Sequence, residues 1–151
     1  MLKRVVQIVS AAATGAVLAV LGAGPASAAP YWQEVNVTPT WDCTPYYVHN
    51  GTTIPIEFKA CVIKNAGDYS QIAVVVKNST GRAAQIQADL QDRRMSASCY
   101  QSTLNTTFTR GCLGTTHHIP RCSNNYGTVT LNVNGIGRSL STPTAWATCP
   151  V

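Results

Sequence analysis

Between Ile54 and Leu90 the apolar residues keep a period of two, and that period restricts the chain to sheets with one buried side. Ile54, Ile56, Phe58, Ala60 and Val62 hold the even positions, with Glu57 and Lys59 between them. Successive strand side chains point to opposite faces, so alternation puts one face on a core and the other in water. Asn65-Ala66-Gly67-Asp68 then supplies turn residues. The run from Gln71 to Lys77 is apolar on both faces, as a central strand covered on two sides would be. Ser79-Thr80-Gly81 breaks it. Alternation resumes with Ala84, Ile86, Ala88 and Leu90 inward and Gln85, Gln87, Asp89 and Gln91 outward. Alanine, glutamine and leucine also suit a helix beginning at Arg82, but the period is two and not about 3.6. The stretch reads as a three-stranded antiparallel meander.

The flanks continue the pattern. Tyr31 to Pro39 alternates loosely and reads as an opening strand, and Thr40 to Thr53 as loop. Ser98 to Thr109 is a further candidate strand, with Tyr100, Ser102, Leu104, Thr106 and Phe108 on one face. Gly111 to Tyr126 reads as loop. Gly127 to Asn132 alternates, and Asn134-Gly135 is the strongest hairpin signal in the chain. A two-residue turn there sets Ile136 and Leu140 opposite Val133 and Val129, and Arg138 opposite Leu131. An edge position lets the arginine stem lie flat with its head in water. No helical period exceeds two turns after residue 28, and no internal repeat aligns.

The first residues belong to a different problem. Lys3 and Arg4 precede an apolar run from Val5 to Leu21, and Ala26-Ser27-Ala28 has the form of a cleavage site. Residues 1–28 therefore read as a secretory signal peptide, and 29–151 as one disulfide-stapled domain. A membrane anchor is the competing reading, but small residues and Pro25 interrupt the run. Without Lys3 and Arg4 the formal charge falls from +5 to +3, and the remaining basic residues are scattered. A nucleic-acid footprint needs them clustered, so no nucleic-acid partner is expected, nor a membrane one after cleavage.

All six cysteines follow the leader: Cys43, Cys61, Cys99, Cys112, Cys122 and Cys149. An even number behind an export signal implies disulfides. Six cysteines allow 15 pairings, of which Cys43–Cys61, Cys99–Cys149 and the local Cys112–Cys122 are expected here.

Four groups of residues invite a chemical reading. His117-His118 on an extended segment point opposite ways and suit solvated loop positions better than one ion. His49 lies far away and no H-E-x-x-H occurs, so no metal or other cofactor is expected. No G-x-S-x-G frames a serine, and Glu34, Asp42, Glu57, Asp68, Asp89 and Asp92 are the six acids. Solvated faces and turns account for half of them, so catalysis is not expected, although Glu34 or Asp42 would be the carboxylates of a small hydrolase. Trp32, Trp41, Tyr46 and Tyr47, with Tyr31, place five of the eleven aromatics within 31–47. Such rings make a sugar-stacking platform or a protein anchor; alternatively the tryptophans fill a small core. The Cys112–Cys122 stretch, carrying His117, His118 and Arg121, would be a bracketed loop of the kind secreted protease inhibitors present, since preorganisation removes an ordering cost. Sequons at Asn36, Asn50, Asn78 and Asn105 matter only in a eukaryotic secretory pathway.

The leader, rich in alanine and glycine from Ala11 to Gly24 and ending Pro25-Ala26-Ser27-Ala28-Ala29, resembles those of actinobacterial secreted proteins of Streptomyces type. Trp41-Asp42-Cys43, Phe58-Lys59-Ala60-Cys61-Val62, Val74 to Val76 and Cys112-Leu113-Gly114 are similar to patterns in the small exported proteins of those bacteria, a group that implies no particular activity. The subtilisin inhibitors of the same bacteria are similar in size and export, but their cysteine arrangement and reactive site find no counterpart here. The combined expectation is an all-β, Ig-like antiparallel sandwich of about 7–8 strands with three disulfides, secreted and non-catalytic. It would bind an extracellular glycan or protein, with a secreted enzyme inhibitor as the alternative.

Overall fold

A computed structural model describes residues 30–149. The expected leader, 1–28, and its cleavage point lie outside the described residues. Twelve strands follow in chain order: β1 (Trp41–Cys43), β2 (Tyr47–Val48), β3 (Glu57–Asn65), β4 (Tyr69–Lys77), β5 (Ala84–Asp92), β6 (Ser96–Leu104), β7 (Thr109–Leu113), β8 (His117–His118), β9 (Asn124–Asn125), β10 (Gly127–Val133), β11 (Ile136–Ser141) and β12 (Ala145–Trp146). Seven of them have five residues or more, in line with the seven or eight expected. The rest are two- or three-residue pieces, too short for a periodicity to register.

One sheet runs β1-β3-β4-β7, with β2 also on β3 and β8 on β4; the second runs β11-β10-β5-β6; β9 and β12 pair separately. The two larger sheets face each other across a core that includes Ile56, Phe58, Val62, Val74, Ile86, Leu90, Leu104 and Leu131. Each such side chain contributes about 1.5–3 kcal/mol through burial. The fold is the expected antiparallel β-sandwich.

The meander does not form. β3 pairs with β4, but β4 pairs next with β7 and β8, while β5 joins β6 and β10 in the opposite sheet. Asn78 holds the crossing. It is fully buried, its Nδ2 donates to the carbonyls of Arg82 (2.8 Å) and Leu104 (3.2 Å), and its Oδ1 accepts from the Thr80 amide (3.0 Å) and hydroxyl (2.7 Å). A side chain used in this way is no glycan acceptor, which removes one of the four sequons.

The odd face of β3 also departs from expectation. Cys61 and Ile63 are buried there with Ala73 and Val75, in a second apolar cluster packed against Val35, Trp41 and Leu113. The cover is the segment expected to be the opening strand. It makes a single bridge, Gln33 to Gly111, then passes over the outer face of this sheet to the β1 edge. The stretch from Thr40 to Thr53, read as loop, contains β1 and β2, and that from Gly111 to Tyr126 contains β8, β9 and most of β7.

β6 stops at Leu104, short of the Thr109 expected, and keeps the expected parity at Ser102 and Leu104 but reverses it before them. The β5–β6 register shifts between Ile86 and Ala88, so Tyr100 and Gln101 together oppose Gln87. This bulge resets the pleat: Ala97 and Cys99 face inward before it, Ser102 and Leu104 after it, and Tyr100 faces out. The hairpin is as expected, with Val133↔Ile136, Leu131↔Arg138 and Val129↔Leu140. Asn134 (φ 49°) and Gly135 (φ 85°) take the left-handed pair that a type I′ turn requires.

The disulfides are Cys43–Cys61, Cys99–Cys112 and Cys122–Cys149. The first was expected; the other two replace Cys99–Cys149 and Cys112–Cys122. Sequence proximity misleads here because β6 and β7 belong to opposite sheets, and their buried cysteines meet across the core.

Candidate binding surface

The residues singled out from the sequence do not converge. Trp32 is partly buried against the main core, and its Nε1 donates to the Tyr100 carbonyl at 2.7 Å. Trp41 stands opposite Ile63 and packs on the second cluster. Tyr47 is exposed at the β2 edge opposite Phe58. Tyr46 is exposed beside it, with the Lys59 ammonium 4.8 Å from its ring centroid. Partial burial, and then the Glu57 carboxylate, push its phenol above the usual range. Density in the span 31–47 is thus spread over separate places.

The two histidines point apart, as expected. His118 meets Tyr69 edge-on at 5.2 Å between ring centroids. His117 turns inward, its Nδ1 3.4 Å from Asp92 Oδ2, with side-chain exposures of 12% and 2%. Asp92 Oδ1 also accepts the Arg94 (2.8 Å) and Met95 (2.7 Å) amides. This sets β8 of one sheet against the end of β5 in the other. Among the described residues neither ring nitrogen of His117 is hydrogen-bonded, and the ring is not in the solvated loop position expected for it. Ser70 is the register partner of His117, so the residue types of a hydrolytic triad are neighbours. Ser70 is fully buried, however, and its Oγ accepts from Asn125 Nδ2 at 2.7 Å. A nucleophile must reach a substrate carbonyl, and this one faces the interior. His49 is buried elsewhere, against the Leu131 carbonyl. Among the described residues no three His, Cys, Asp or Glu side chains gather around a possible ion position.

The bracketed inhibitor loop is corrected by the disulfides. Cys112 lies within β7 and links to Cys99, Cys122 links to Cys149, and Ile119 between them is buried, its amide bonded to the Asp68 carbonyl at 2.8 Å. The segment is stitched to the sheet. Arg121 remains exposed in the turn that follows.

What the fold does assemble is the outer face of the four-stranded sheet. Register aligns Ser96, Gln91, Thr128 and Ser141 in one row, and Ser98, Asp89, Thr130 and Ser139 in the next. Gln87 and Asn132 form a third with Gln101 of the bulge, and Gln85 pairs with Thr103 beyond them. Among the described residues Asp89 is the one carboxylate on this face, and Ser98 donates to it at 2.7 Å. Gln85, Gln87, Gln101 and Asn132 line a groove of about 430 Å³ beside the hairpin turn. At the β6 edge of the sheet the bulge turns the Tyr100 amide outward to the carbonyl of Pro30, the residue before Tyr31, at 3.3 Å. Tyr31 and Tyr100 are 67% and 59% exposed.

The alternating Gln85, Gln87, Asp89 and Gln91 were readable as an outward row. Tyr100 was missed because the bulge moved it off the face that simple alternation assigns. A second groove, of about 470 Å³, lies at the β1 edge between Asp42, Lys64 and Ala145, near Trp146, which is 62% exposed. Compared with protein-family models, with curated proteins and with solved structures, the chain gives no match.

Proposed function

We propose that the chain is a secreted, non-catalytic domain that binds an extracellular partner, either a glycan or a protein. The observation that carries this reading is the exposure of aromatic rings on a cross-linked frame: Tyr31, Tyr100 and Tyr47 lie open to solvent while three disulfides hold the sheets beneath them. Rings held in place bind without a large ordering cost, and Tyr is a favoured contact residue because its apolar body ends in a polar group. Disulfides persist in oxidising compartments, which supports export. Among the described residues no helix is long and apolar enough to cross a membrane.

The test is to express the full chain in a secreting host, confirm six oxidised cysteines by mass, and incubate the medium-derived protein with polysaccharides and with extracellular proteins. Saturable binding with no new reducing ends or cleaved bonds is the expected result. Retention in the cytosol with free thiols, or turnover of any ligand in the panel, refutes the reading.

A further inference from the structure

We infer that the outer face of the four-stranded sheet is the binding surface and that its ligand is an uncharged polysaccharide; this rests on the proposed binding function and names its site. The first argument is charge. A nucleic acid, an acidic glycan or an anionic headgroup requires clustered basic side chains, and the four aligned rows carry none. Arg93 borders Gln91, Thr128 and Ser141 at the end away from the amide groove, where it donates to Asn124 Oδ1 at 2.7 Å. The one carboxylate of this face, hydrogen-bonded by Ser98, offers a cationic partner a single exposed ion pair, which adds little to affinity. The ligand that fits carries hydroxyl groups and no charge.

The second argument is hydrogen-bonding capacity. Gln101 Nε2 donates to Gln85 Oε1 at 3.1 Å. That bond uses one donor and one acceptor of two amides that each offer two donor hydrogens and an oxygen. The Gln85 NH₂, the Gln101 carbonyl and the amides of Gln87 and Asn132 face the groove with both donors and acceptors to give. A sugar hydroxyl needs both at once. The sheet repeats these tips at roughly 4.8 Å across strands and about 6.8 Å along them, an extended array suited to a polymer chain.

The third argument is the edge. Tyr100, which shares the bulge opposite Gln87 with Gln101, and Tyr31, whose neighbour Pro30 accepts from the Tyr100 amide, add open rings at the β6 edge of this face. A ring face matches the C–H face of a pyranose. Protein interfaces centre on aromatics, Met and Arg and are poor in Ser. A field of Ser, Thr, Gln and Asn with rings only at its rim has the opposite composition, which favours a glycan over a protein. The disulfide at Cys99, next to Tyr100, fixes the bulge that presents the ring.

The experiment is affinity electrophoresis and calorimetry with neutral polysaccharides alone: cellulose fragments, mixed-linkage glucan, xylan, mannan and soluble chitin fragments. Wild type should bind at least one of them, equally well with and without added sodium chloride. Tyr100→Ala and Gln87→Ala, both at exposed positions, should each weaken binding by about tenfold or more, with unchanged thermal midpoints, and Trp146→Ala should bind like wild type. Losses confined to Tyr47→Ala or Trp146→Ala would overturn this assignment and leave the wider function standing. Binding abolished by salt would overturn the uncharged ligand. Failure with every neutral polysaccharide would overturn the inference, and the wider reading then fails too unless the protein arm of the preceding assay shows a partner.

Discussion

Replacing both Cys99 and Cys112 by alanine removes the covalent link between the two main sheets, since β6 and β7 lie on opposite sides of the core. The two cysteines are 13 residues apart, and closing a loop of that size restricts the unfolded chain by roughly 3 kcal/mol. Both side chains are buried, so losing the sulfurs also costs about 1 kcal/mol per side chain in transfer and packing. The sum, about 5 kcal/mol, is comparable to the whole stability of many domains. Cys122 and Cys149 are 27 residues apart, and the same chain model assigns that link slightly more, roughly 3.5 kcal/mol. Both of those cysteines are exposed, so no packing term is added, and the tail keeps its β9–β12 pairing. Burial therefore outweighs loop length, and the Cys99/Cys112 variant should be the less stable by about 1.5 kcal/mol.

Urea unfolding of the two double variants, followed by circular dichroism, decides the order. Greater loss in the Cys122/Cys149 variant would refute the reasoning, because loop closure alone would then govern. The pairing itself is checked first on the wild type. Lys59, Arg110 and Arg138 each lie between the partners of one disulfide, and Arg121 lies between Cys112 and Cys122. Trypsin without reductant should thus leave 95–110 joined to 111–121, and 122–138 joined to 139–151. Recovery of 111–121 joined to 122–138 would disprove the disulfide arrangement.

Three other outcomes follow from single side chains. Asn78→Asp keeps the shape but points carboxylate oxygen at the Arg82 and Leu104 carbonyls; a loss of about 3 kcal/mol is expected in urea unfolding, and a neutral effect would mean that Asn78 does not hold the crossing. A Cβ at Gly127 would sit 2.2 Å from the Gln91 carbonyl oxygen, so Gly127→Ala must open the end of the β10–β5 ladder, at a cost above about 2 kcal/mol; wild-type stability would contradict that contact. The Thr148 amide, helped by the Lys64 ammonium and the Thr148 hydroxyl, holds the Asp68 carboxyl below its ordinary pKa. A depressed carboxylate contributes fully above its unfolded pKa of about 3.9 and ceases to contribute as pH falls through the lower folded value. The Thr148 amide resonance should therefore titrate only below the usual carboxylate range, and Asp68→Asn should flatten it; a midpoint at or above the ordinary value would count against the anchor.

Much of the fold was legible because it is local. The alternation from Ala84 to Leu90 became β5 with each parity as read, and Asn134-Gly135 set a hairpin register that placed Arg138 opposite Leu131. What failed depended on partners far along the chain. Ser79-Thr80-Gly81 announces that the strand ends, and it reads alike for a hairpin and for a crossing to another sheet. The difference is Asn78, whose partners include Leu104, 26 residues on. Cys61 and Ile63 lie on a face that looked wet because nothing near them in sequence shows that Val35 and Trp41 cover it. The cysteine pairing failed for the same reason, since the shortest spacing joins residues that the sandwich separates.

The candidate site has the same logic. A face is a property of register, and register needs two strands. The outward glutamines of β5 were visible as a row, and Thr128, Thr130 and Asn132 as the outward positions of another. Their alignment into one uncharged array required the β5–β10 ladder. Tyr100 needed still more, because one extra residue in β6 turns its ring from the presumed inner face out to solvent. The aromatic cluster of 31–47 erred in the other direction. Its members are close in sequence, but a strap over one sheet, an edge strand and a contact with the other sheet pull them apart. Rings that are near in the chain therefore argue for a site less strongly than modest polar residues brought side by side by the pairing of four strands.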